Sequence, residues 1–304
     1  MASVVFLGTP ESAVPTLETI AAEHEIRRVI TQPDRPKGRS KKPQPPAVKT
    51  AAGKLQLDVA QPGSSAELLE VLEEVAPIDV GVVVAYGRII RPQALRVPDH
   101  GFLNLHFSLL PRWRGAAPVA RALLAGDPMT GVTIMKLDEG LDTGPVLTAQ
   151  AVDVGTEENA GDLTGRLARM GARLLHDSIE PYLRGDLVPI SQTDEGVTYA
   201  KKLEHDDRPI QPSDDVISAV NRVRGLAPDP AAVLVIDGEP HKLLRVSLAS
   251  ASPPQGRWQV IEGVPVAGLV NGGIELVSIQ PPGKRPMSGA DWARGRRESA
   301  GIVG

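Results

Sequence analysis

Short apolar stretches alternate with amphipathic stretches through the first part of the chain. The apolar stretches are rich in β-branched residues and are too short for helices, whereas the amphipathic ones repeat with a helical period. The pattern predicts strands at residues 3–7, 26–30, 78–85, 102–105, 132–137 and 146–154, and helices at residues 11–22, 47–54, 65–75 and 160–183. Because strands and helices alternate, we expect an α/β fold with a Rossmann-like, doubly wound and mainly parallel sheet.

The pattern changes after residue 185. Residues 186–207 are polar and lack a clear period, and Pro209 and Pro212 interrupt any helix that would follow. Farther on, the sequence predicts one short helix and several short strands, at residues 214–224, 232–236, 242–248 and 274–279. We therefore predict three parts: an N-terminal catalytic domain at residues 1–185, a linker at 186–207, and a smaller C-terminal β-barrel domain of the OB type at 208–304.

Composition excludes several kinds of chemistry. The chain of 304 residues contains no Cys, so it has no disulfide, no thiolate metal site and no cysteine nucleophile. No basic segment precedes the first apolar stretch, which is too short for a signal core or a membrane span. We expect a cytoplasmic protein with no membrane partner. The formal net charge of −4 gives no general attraction to nucleic acid, so local basic clusters matter more.

Two segments carry most of the groups that are capable of chemistry. Asn104 and His106 alternate along a predicted strand and therefore point to the same face near its end, where open α/β sheets bind ligands. Asp142 lies in a glycine-rich turn between two later strands, which can bring its carboxylate to that face. An amide, an imidazole and a carboxylate together suit acyl transfer. Each of them alone more often has a structural role in a loop than a catalytic one, and the combination is what favours catalysis.

Two common cofactor classes lack their sequence signatures. The six histidines show no pair at the spacing of a helical zinc motif, so we expect no metal to be required for the chemistry. The glycine turn after the first strand is not a GxGxxG fingerprint, which argues against a nicotinamide cofactor.

Five motifs resemble methionyl-tRNA formyltransferases, in the same order along the chain. The motifs are FLGTP at residues 6–10, QPDRPKGRSKK at 32–42, VVAYG at 83–87, SLLPRWRGAAP at 108–118 and DEGLDTG at 138–144, and the resemblance as a whole extends over most of residues 3–185. SLLP and DEGLDTG occur in looser form in other folate-dependent formyltransferases and hydrolases. The WRGAAP version, the basic segment and the appended β domain favour the tRNA enzymes. After the linker, Arg208 to Pro212 replaces an Ile-Asp-Trp-like sequence of that family.

The resemblance implies a formyltransferase fold and a set of site residues. Its donor cosubstrate is 10-formyltetrahydrofolate, and its acceptor is methionyl initiator tRNA. Asn104, His106 and Asp142 match the catalytic positions. The folate-binding positions are Ser108, Leu109, Leu110, Pro111, Ala85, Tyr86 and Gly87. The apolar members of that set can equally be packing residues.

The basic segment after the second strand is the implied tRNA contact. It holds Arg35, Lys37, Arg39, Lys41 and Lys42 between prolines, and Arg39 is our first choice for a contact. A solvated surface loop is the alternative interpretation. A smaller basic cluster near the C-terminus is suited to phosphate contacts that do not read sequence: Lys284, Arg285, Arg294, Arg296 and Arg297. We expect a monomer.

Three other functions remain open from the sequence. A formyltransferase acting on a nucleotide sugar or a purine precursor would share the reaction centre, and so would a hydrolase that releases formate from formyl folate. A non-catalytic tRNA-binding protein would use only the basic segments, although the retained Asn104, His106 and Asp142 argue against it.

Overall fold

The computed structural model describes residues 1–36 and 42–304, and the chain divides into two compact units. The first unit comprises Met1–Gly115, Gly131–Val152 and Thr164–Tyr199, and the second comprises Ala116–Thr130, Asp153–Leu163 and Ala200–Gly304. Each unit is therefore assembled from separate stretches of chain. The three-part division drawn from the sequence stays a prediction.

The described residues form strands and helices in the alternation that the sequence predicts for the first unit. The strands are β1 Ser3–Gly8, β2 Glu25–Ile30, β3 Arg35–Pro36, β4 Pro43–Gln44, β5 Val59–Ala60, β6 Val80–Val84, β7 Phe102–His106, β8 Arg114–Gly115, β9 Met129–Lys136, β10 Val146–Asp153, β11 Tyr199–Ala200, β12 Pro209–Ile210, β13 Ala232–Ile236, β14 Glu239–Leu248, β15 Arg257–Ile261, β16 Val264–Leu269, β17 Gly272–Gln280, β18 Met287–Ser288 and β19 Ala300–Ile302. The helices are α1 Val14–Ala21, α2 Ala47–Lys54, α3 Ser65–Glu74, α4 Pro92–Leu95, α5 Pro118–Ala125, α6 Ala160–Arg184, α7 Val216–Leu226 and α8 Gly289–Arg294, with single 3-10 turns at Glu11–Ala13 and His205–Asp207.

The main sheet of the first unit has the strand order β10-β9-β7-β6-β1-β2-β5. Strands β5, β2, β1, β6 and β7 are parallel, and β9 joins β7 antiparallel. All side chains of β6 and β7 are buried, as expected for central strands of a sheet that is covered on both faces. The predicted Rossmann-like, mainly parallel α/β sheet is confirmed.

Local sequence explains where several of these elements begin and end. Ser64 caps α3, where its hydroxyl accepts a hydrogen bond from the Glu67 amide at 3.2 Å, and the Glu67 carboxylate accepts from the Gly63 amide at 2.8 Å. Helix α5 starts with Pro118 and is followed by the C-cap residue Gly126, whose φ of 73° lies in the left-handed region. No helix within residues 1–36 and 42–304 is long and apolar enough to cross a membrane.

The second unit contains a curled, mainly antiparallel sheet with the order β12-β13-β14-β17-β16-β15-β19, and β18 pairs with β17. A bridge between Ile236 of β13 and Val303, which follows β19, connects strands near the two edges of the sheet. Its interior is an apolar core that includes Trp258, Leu234 and Ile279, all fully buried. The small C-terminal β-barrel is confirmed as this curled sheet.

Candidate active site

The candidate site lies at the edge of the main sheet where its parallel strands end. Strands β1, β6 and β7 are neighbours and end at Gly8, Val84 and His106. Three of the five motifs, FLGTP, VVAYG and SLLPRWRGAAP, overlap or closely follow these ends. This is the edge at which open α/β sheets bind ligands.

His106 and Asp142 are brought together from residues far apart in sequence. Nδ1 of His106 lies 3.7 Å from Oδ2 of Asp142. Nε2 of His106 lies 2.9 Å from the carbonyl oxygen of Trp113 and donates to it, because a carbonyl can only accept. In the neutral ring Nδ1 is therefore the unprotonated nitrogen, and it faces the carboxylate. A proton taken up at Nδ1 would form an ion pair with Asp142.

Asn104 lies two residues before His106 on β7 and therefore shares its face. It pairs in register with Val83 of β6 on one side and Met135 of β9 on the other. Both Asn104 and His106 are buried, at 8% and 6% exposure, so a hydrogen bond to either side chain is little weakened by water. The structure thus places an amide and an imidazole on one buried strand.

Asp142 adopts a backbone that few side chains occupy. Its φ is 52°, in the left-handed region, which costs a non-glycine residue on the order of 1–3 kcal/mol. Its carboxylate accepts a hydrogen bond from the Gly115 amide at 2.7 Å. Two residues later, a Cβ on Gly144 would overlap the carbonyl oxygen of Lys136, so only glycine fits there. The DEGLDTG motif is therefore a tight turn that aims Asp142 at His106.

The predicted folate segment at residues 108–111 is attached to β9 through one hydroxyl. Thr133 donates to the Ser108 carbonyl at 2.7 Å and accepts from the Leu110 amide at 3.2 Å. Ser108 donates its own hydroxyl to the Arg112 carbonyl at 2.6 Å. Thr133 is opposite His106 in the sheet, so this attachment ties the segment directly to the reaction centre.

The other predicted folate segment, Ala85 to Gly87, follows β6 in a turn with positive φ at both ends, 47° and 82°. The carbonyl of Tyr86 between them accepts hydrogen bonds from Thr9 at 2.9 Å and from Gln32 at 3.3 Å. Three of the five motifs therefore meet at one carbonyl group. The Tyr86 ring is buried in an apolar core cluster, and burial raises the pKa of its hydroxyl, so the phenol stays neutral.

Three residues that the sequence analysis did not single out also build this site. Arg114 is 7% exposed and donates to the side-chain oxygen of Gln192 from Nε at 3.1 Å and from an NH2 group at 2.7 Å. Thr198 accepts from the Trp113 amide with its hydroxyl and from the Arg114 amide with its carbonyl, at 2.8 and 2.9 Å. Gln192 and Thr198 lie within the predicted linker, where no periodicity marked them.

The basic segment is described only at its ends. Arg35 and Lys42 are exposed, and β3 pairs with β4 antiparallel on either side of the segment. Lys37, Arg39 and Lys41 lie outside the described residues. The preceding Asp34 accepts two hydrogen bonds from Lys49 at 2.8 and 2.9 Å, and this contact holds the pKa of Asp34 below its usual range.

The smaller basic cluster of the second unit is partly engaged within the protein. Arg296 pairs with Asp237 and stacks on the rings of Trp258 and Trp292. Arg294 pairs with Asp291. Arg296 therefore has a structural role, which makes it a poor choice for a phosphate contact. In the part of the chain that the structure describes, no group of three or more His, Cys, Asp or Glu side chains could hold a metal ion.

Comparison with known proteins identifies the family. The family described as formyl transferase matches residues 2–179, and the formyl transferase C-terminal domain matches residues 202–297. The methionyl-tRNA formyltransferase of Halorhodospira halophila is 45% identical over 303 residues, covering 97% of both chains. That of Jannaschia sp. is 41% identical and covers 99% of both chains. This chain belongs to the formyl transferase family, among the methionyl-tRNA formyltransferases, as its motifs predicted.

Solved structures support the same fold. An N-formyltransferase from Helicobacter canadensis, solved with folinic acid and dTDP-3-aminofucose, matches with a TM-score of 0.70 and 18% identity, covering 92% of this chain and all of that one. HypX from Aquifex aeolicus, solved with tetrahydrofolic acid, matches with a TM-score of 0.67 and 15% identity, over 96% of this chain and 47% of HypX. At these identities the likeness shows the fold alone.

Proposed function

We propose that this chain transfers the formyl group of 10-formyltetrahydrofolate to the α-amino group of methionine carried by initiator tRNA. The observation that carries the proposal is the meeting of His106 and Asp142 beside Asn104, in a chain of this family. These side chains supply a hydrogen-bond donor, a proton acceptor and a charge that stabilises the protonated imidazole.

The chemistry needs no covalent enzyme intermediate. The neutral amine attacks the formyl carbon, the new C–N bond forms, and the formyl oxygen becomes an oxyanion. The Asn104 side-chain amide donates a hydrogen bond to that oxygen, and the Nε2–H of His106 is a second donor, which the oxyanion would share with the Trp113 carbonyl. Such donors are each typically worth about 10²- to 10³-fold in rate.

Proton movement completes the reaction. The amine loses a proton as the intermediate forms, and the folate nitrogen gains one as its C–N bond breaks. Nδ1 of His106 is the nitrogen placed to take and return this proton, because Asp142 faces it and stabilises the imidazolium. Asp142 thereby has the roles of orienting His106 and balancing its charge.

The basic segment is the part of the chain that we assign to tRNA. Its cations, Arg35, Lys37, Arg39, Lys41 and Lys42, can neutralise phosphates and release counterions. Arg39→Ala should weaken tRNA binding and lower the slope of log affinity against log salt concentration by about 1. Lys54→Ala, which removes an exposed cation outside the segment, is the matched control. Equal slopes for the two variants would exclude Arg39 as a phosphate contact.

An acceptor panel tests the substrate assignment. The intact chain is given 10-formyltetrahydrofolate with charged initiator tRNA, with an amino-sugar nucleotide, or with no acceptor. The proposal predicts formyl-methionyl-tRNA as the product. Transfer to the sugar, or release of formate without an acceptor, would instead establish one of the alternative enzymes. Tight tRNA binding without turnover of the donor would establish the non-catalytic alternative.

A further inference from the structure

Gln192 uses every hydrogen-bonding position of its side-chain amide. Its oxygen accepts twice from Arg114, and its nitrogen donates to the carbonyl of Asp142 at 2.9 Å and to that of Gly144 at 2.8 Å. An amide group has two acceptor positions and two donor hydrogens, so both kinds are saturated. The two ends of the amide therefore join Trp113-Arg114-Gly115, the WRG motif within SLLPRWRGAAP, to the turn that carries Asp142.

Arg114 determines which way round the Gln192 amide lies. Its planar guanidinium directs two N–H groups at a single oxygen, which an amide nitrogen could not accept. The guanidinium is buried, and the Arg114 backbone is held by Thr198, which follows Gln192 along the chain. The NH2 group of Gln192 is consequently fixed toward the two carbonyl oxygens of the turn.

These contacts form a closed ring that contains Asp142. Gln192 holds the Asp142 carbonyl, and Gly115, the residue after Arg114, holds the Asp142 carboxylate at 2.7 Å. Asp142 is thus fixed at both its backbone and its side chain. Its left-handed backbone persists only where surrounding contacts maintain it, and the contacts of Gln192 lie directly on that backbone.

We propose that Gln192 is a positioning residue for catalysis, which acts by holding Asp142 at the correct place and angle beside His106. The proposal rests on the proposed role of Asp142 and extends it to a segment that the sequence assigns to a linker. Gln192 itself does not touch the reacting atoms. Loss of its two donated bonds lets the turn relax, and a shift of about 1 Å at a reaction centre can cost about 10²-fold in rate.

Two substitutions separate this role from simple packing. Gln192→Glu keeps the length of the side chain and both acceptors for Arg114, but replaces the donors with an oxygen that repels the two carbonyls. Gln192→Met keeps the volume and removes all four bonds. Gln150→Glu, the same exchange at an exposed glutamine on β10, is the control. Folding of each variant is measured first, and rates are expressed per folded molecule.

Turnover is followed as release of tetrahydrofolate from 10-formyltetrahydrofolate, a signal that does not depend on which acceptor is used. We expect kcat to fall about 10²-fold for both Gln192 variants, with the KM values for donor and acceptor much less affected. Gln150→Glu should match the native chain. Native kcat in folded Gln192→Glu would overturn the proposal.

A double-mutant cycle with Asp142→Asn tests whether Gln192 acts through Asp142. If it does, Gln192→Met added to Asp142→Asn should lower kcat little further, because the residue that Gln192 positions is already disabled. If the fold decreases in kcat of the two single variants multiply in the double variant, Gln192 acts independently of Asp142 and the proposal is overturned. If the native chain formylates another acceptor, the substrate assignment fails, and the same cycle run with that acceptor still decides the role of Gln192.

Discussion

Nδ1 of His106 lies 3.7 Å from Oδ2 of Asp142, and the two residues are held by neighbouring backbone groups of one motif. Trp113 provides the carbonyl that binds Nε2 of His106, and Gly115 provides the amide that binds the Asp142 carboxylate. The WRG motif therefore fixes both partners at once. The relative placement of His106 and Asp142 therefore depends on the backbone geometry of this motif as well as on the two side chains.

Asp142→Asn should abolish most of the activity without unfolding the chain. The amide has the shape of the carboxylate but not its charge, so an imidazolium at His106 is no longer stabilised. We expect kcat to fall by about 10²- to 10⁴-fold, the range for loss of general acid–base function. Pre-steady-state formyl transfer is the measurement. A native rate in the folded variant would exclude Asp142 from the chemistry.

Thr133→Val should loosen the predicted folate segment. The substitution removes the hydroxyl that bonds Ser108 and Leu110 and leaves a buried carbonyl and amide without that partner. The expected destabilisation is about 1–3 kcal/mol, together with a higher KM for the folate donor. Denaturant unfolding and donor titration measure the two effects. Thr133→Ser keeps the hydroxyl, so its stability and its KM for the donor should stay near the native values. Equal donor KM values for the two variants would contradict the assignment of residues 108–111 to folate binding.

The second unit should lose stability in mild acid through His241. Burial lowers the pKa of His241, which outweighs the opposing effect of its bond to the Glu239 carbonyl at 2.8 Å. Because the folded pKa lies below the unfolded value of about 6.5, the stabilisation is complete above that pH and is lost as the pH falls through the folded pKa. The unfolded chain binds the extra proton in this window.

Hydrogen exchange of peptides from β13 and β14 measures this effect. Protection in the native chain should fall between about pH 7 and about pH 5, after correction for the intrinsic exchange rate. His241→Gln removes the titration and should flatten the change. An identical pH dependence in the variant would assign the acid sensitivity to another group.

Asp237 should be important for the stability of the curled sheet. Its carboxylate accepts from Trp258 Nε1 at 3.1 Å and from the Ile302 amide at 2.9 Å, and it pairs with Arg296. Asp237→Ala should cost about 1.5–3 kcal/mol for the hydrogen bonds to a charged group. Asp237→Asn retains an acceptor and tolerates the φ of 49°. Its thermal unfolding midpoint should therefore lie between those of the Asp237→Ala variant and the native chain. Equal midpoints for native and alanine chains would contradict this.

Periodicity was sufficient to predict the sheet and part of the site. The alternation along β7 correctly placed Asn104 and His106 on one face at the end of a parallel strand. Helix α5 was not predicted, although Pro118 at its start and Gly126 at its end are standard signals for such a helix. The capping residues of α5 therefore carry structural information that hydrophobic periodicity alone does not.

The contacts that complete the site could not be predicted in the same way. Gln192 lies in a polar stretch with no period, and its partners are 48 to 78 residues away along the chain. Burial of Arg114 is likewise a result of tertiary folding. Arg112, the same residue type two positions earlier, is less buried, so residue type and local sequence do not distinguish the two. Local propensity carries no information about such long-range hydrogen bonds.

Single-turnover transfer of labelled formyl from 10-formyltetrahydrofolate to methionyl initiator tRNA tests the central claim most directly. The native chain is compared with Asn104→Ala and His106→Ala after both variants are shown to be folded. We predict rapid formation of formyl-methionyl-tRNA by the native chain and a rate about 10²- to 10³-fold lower in each variant. Native rates in both variants, or no product from the native chain with active substrates, would contradict the account.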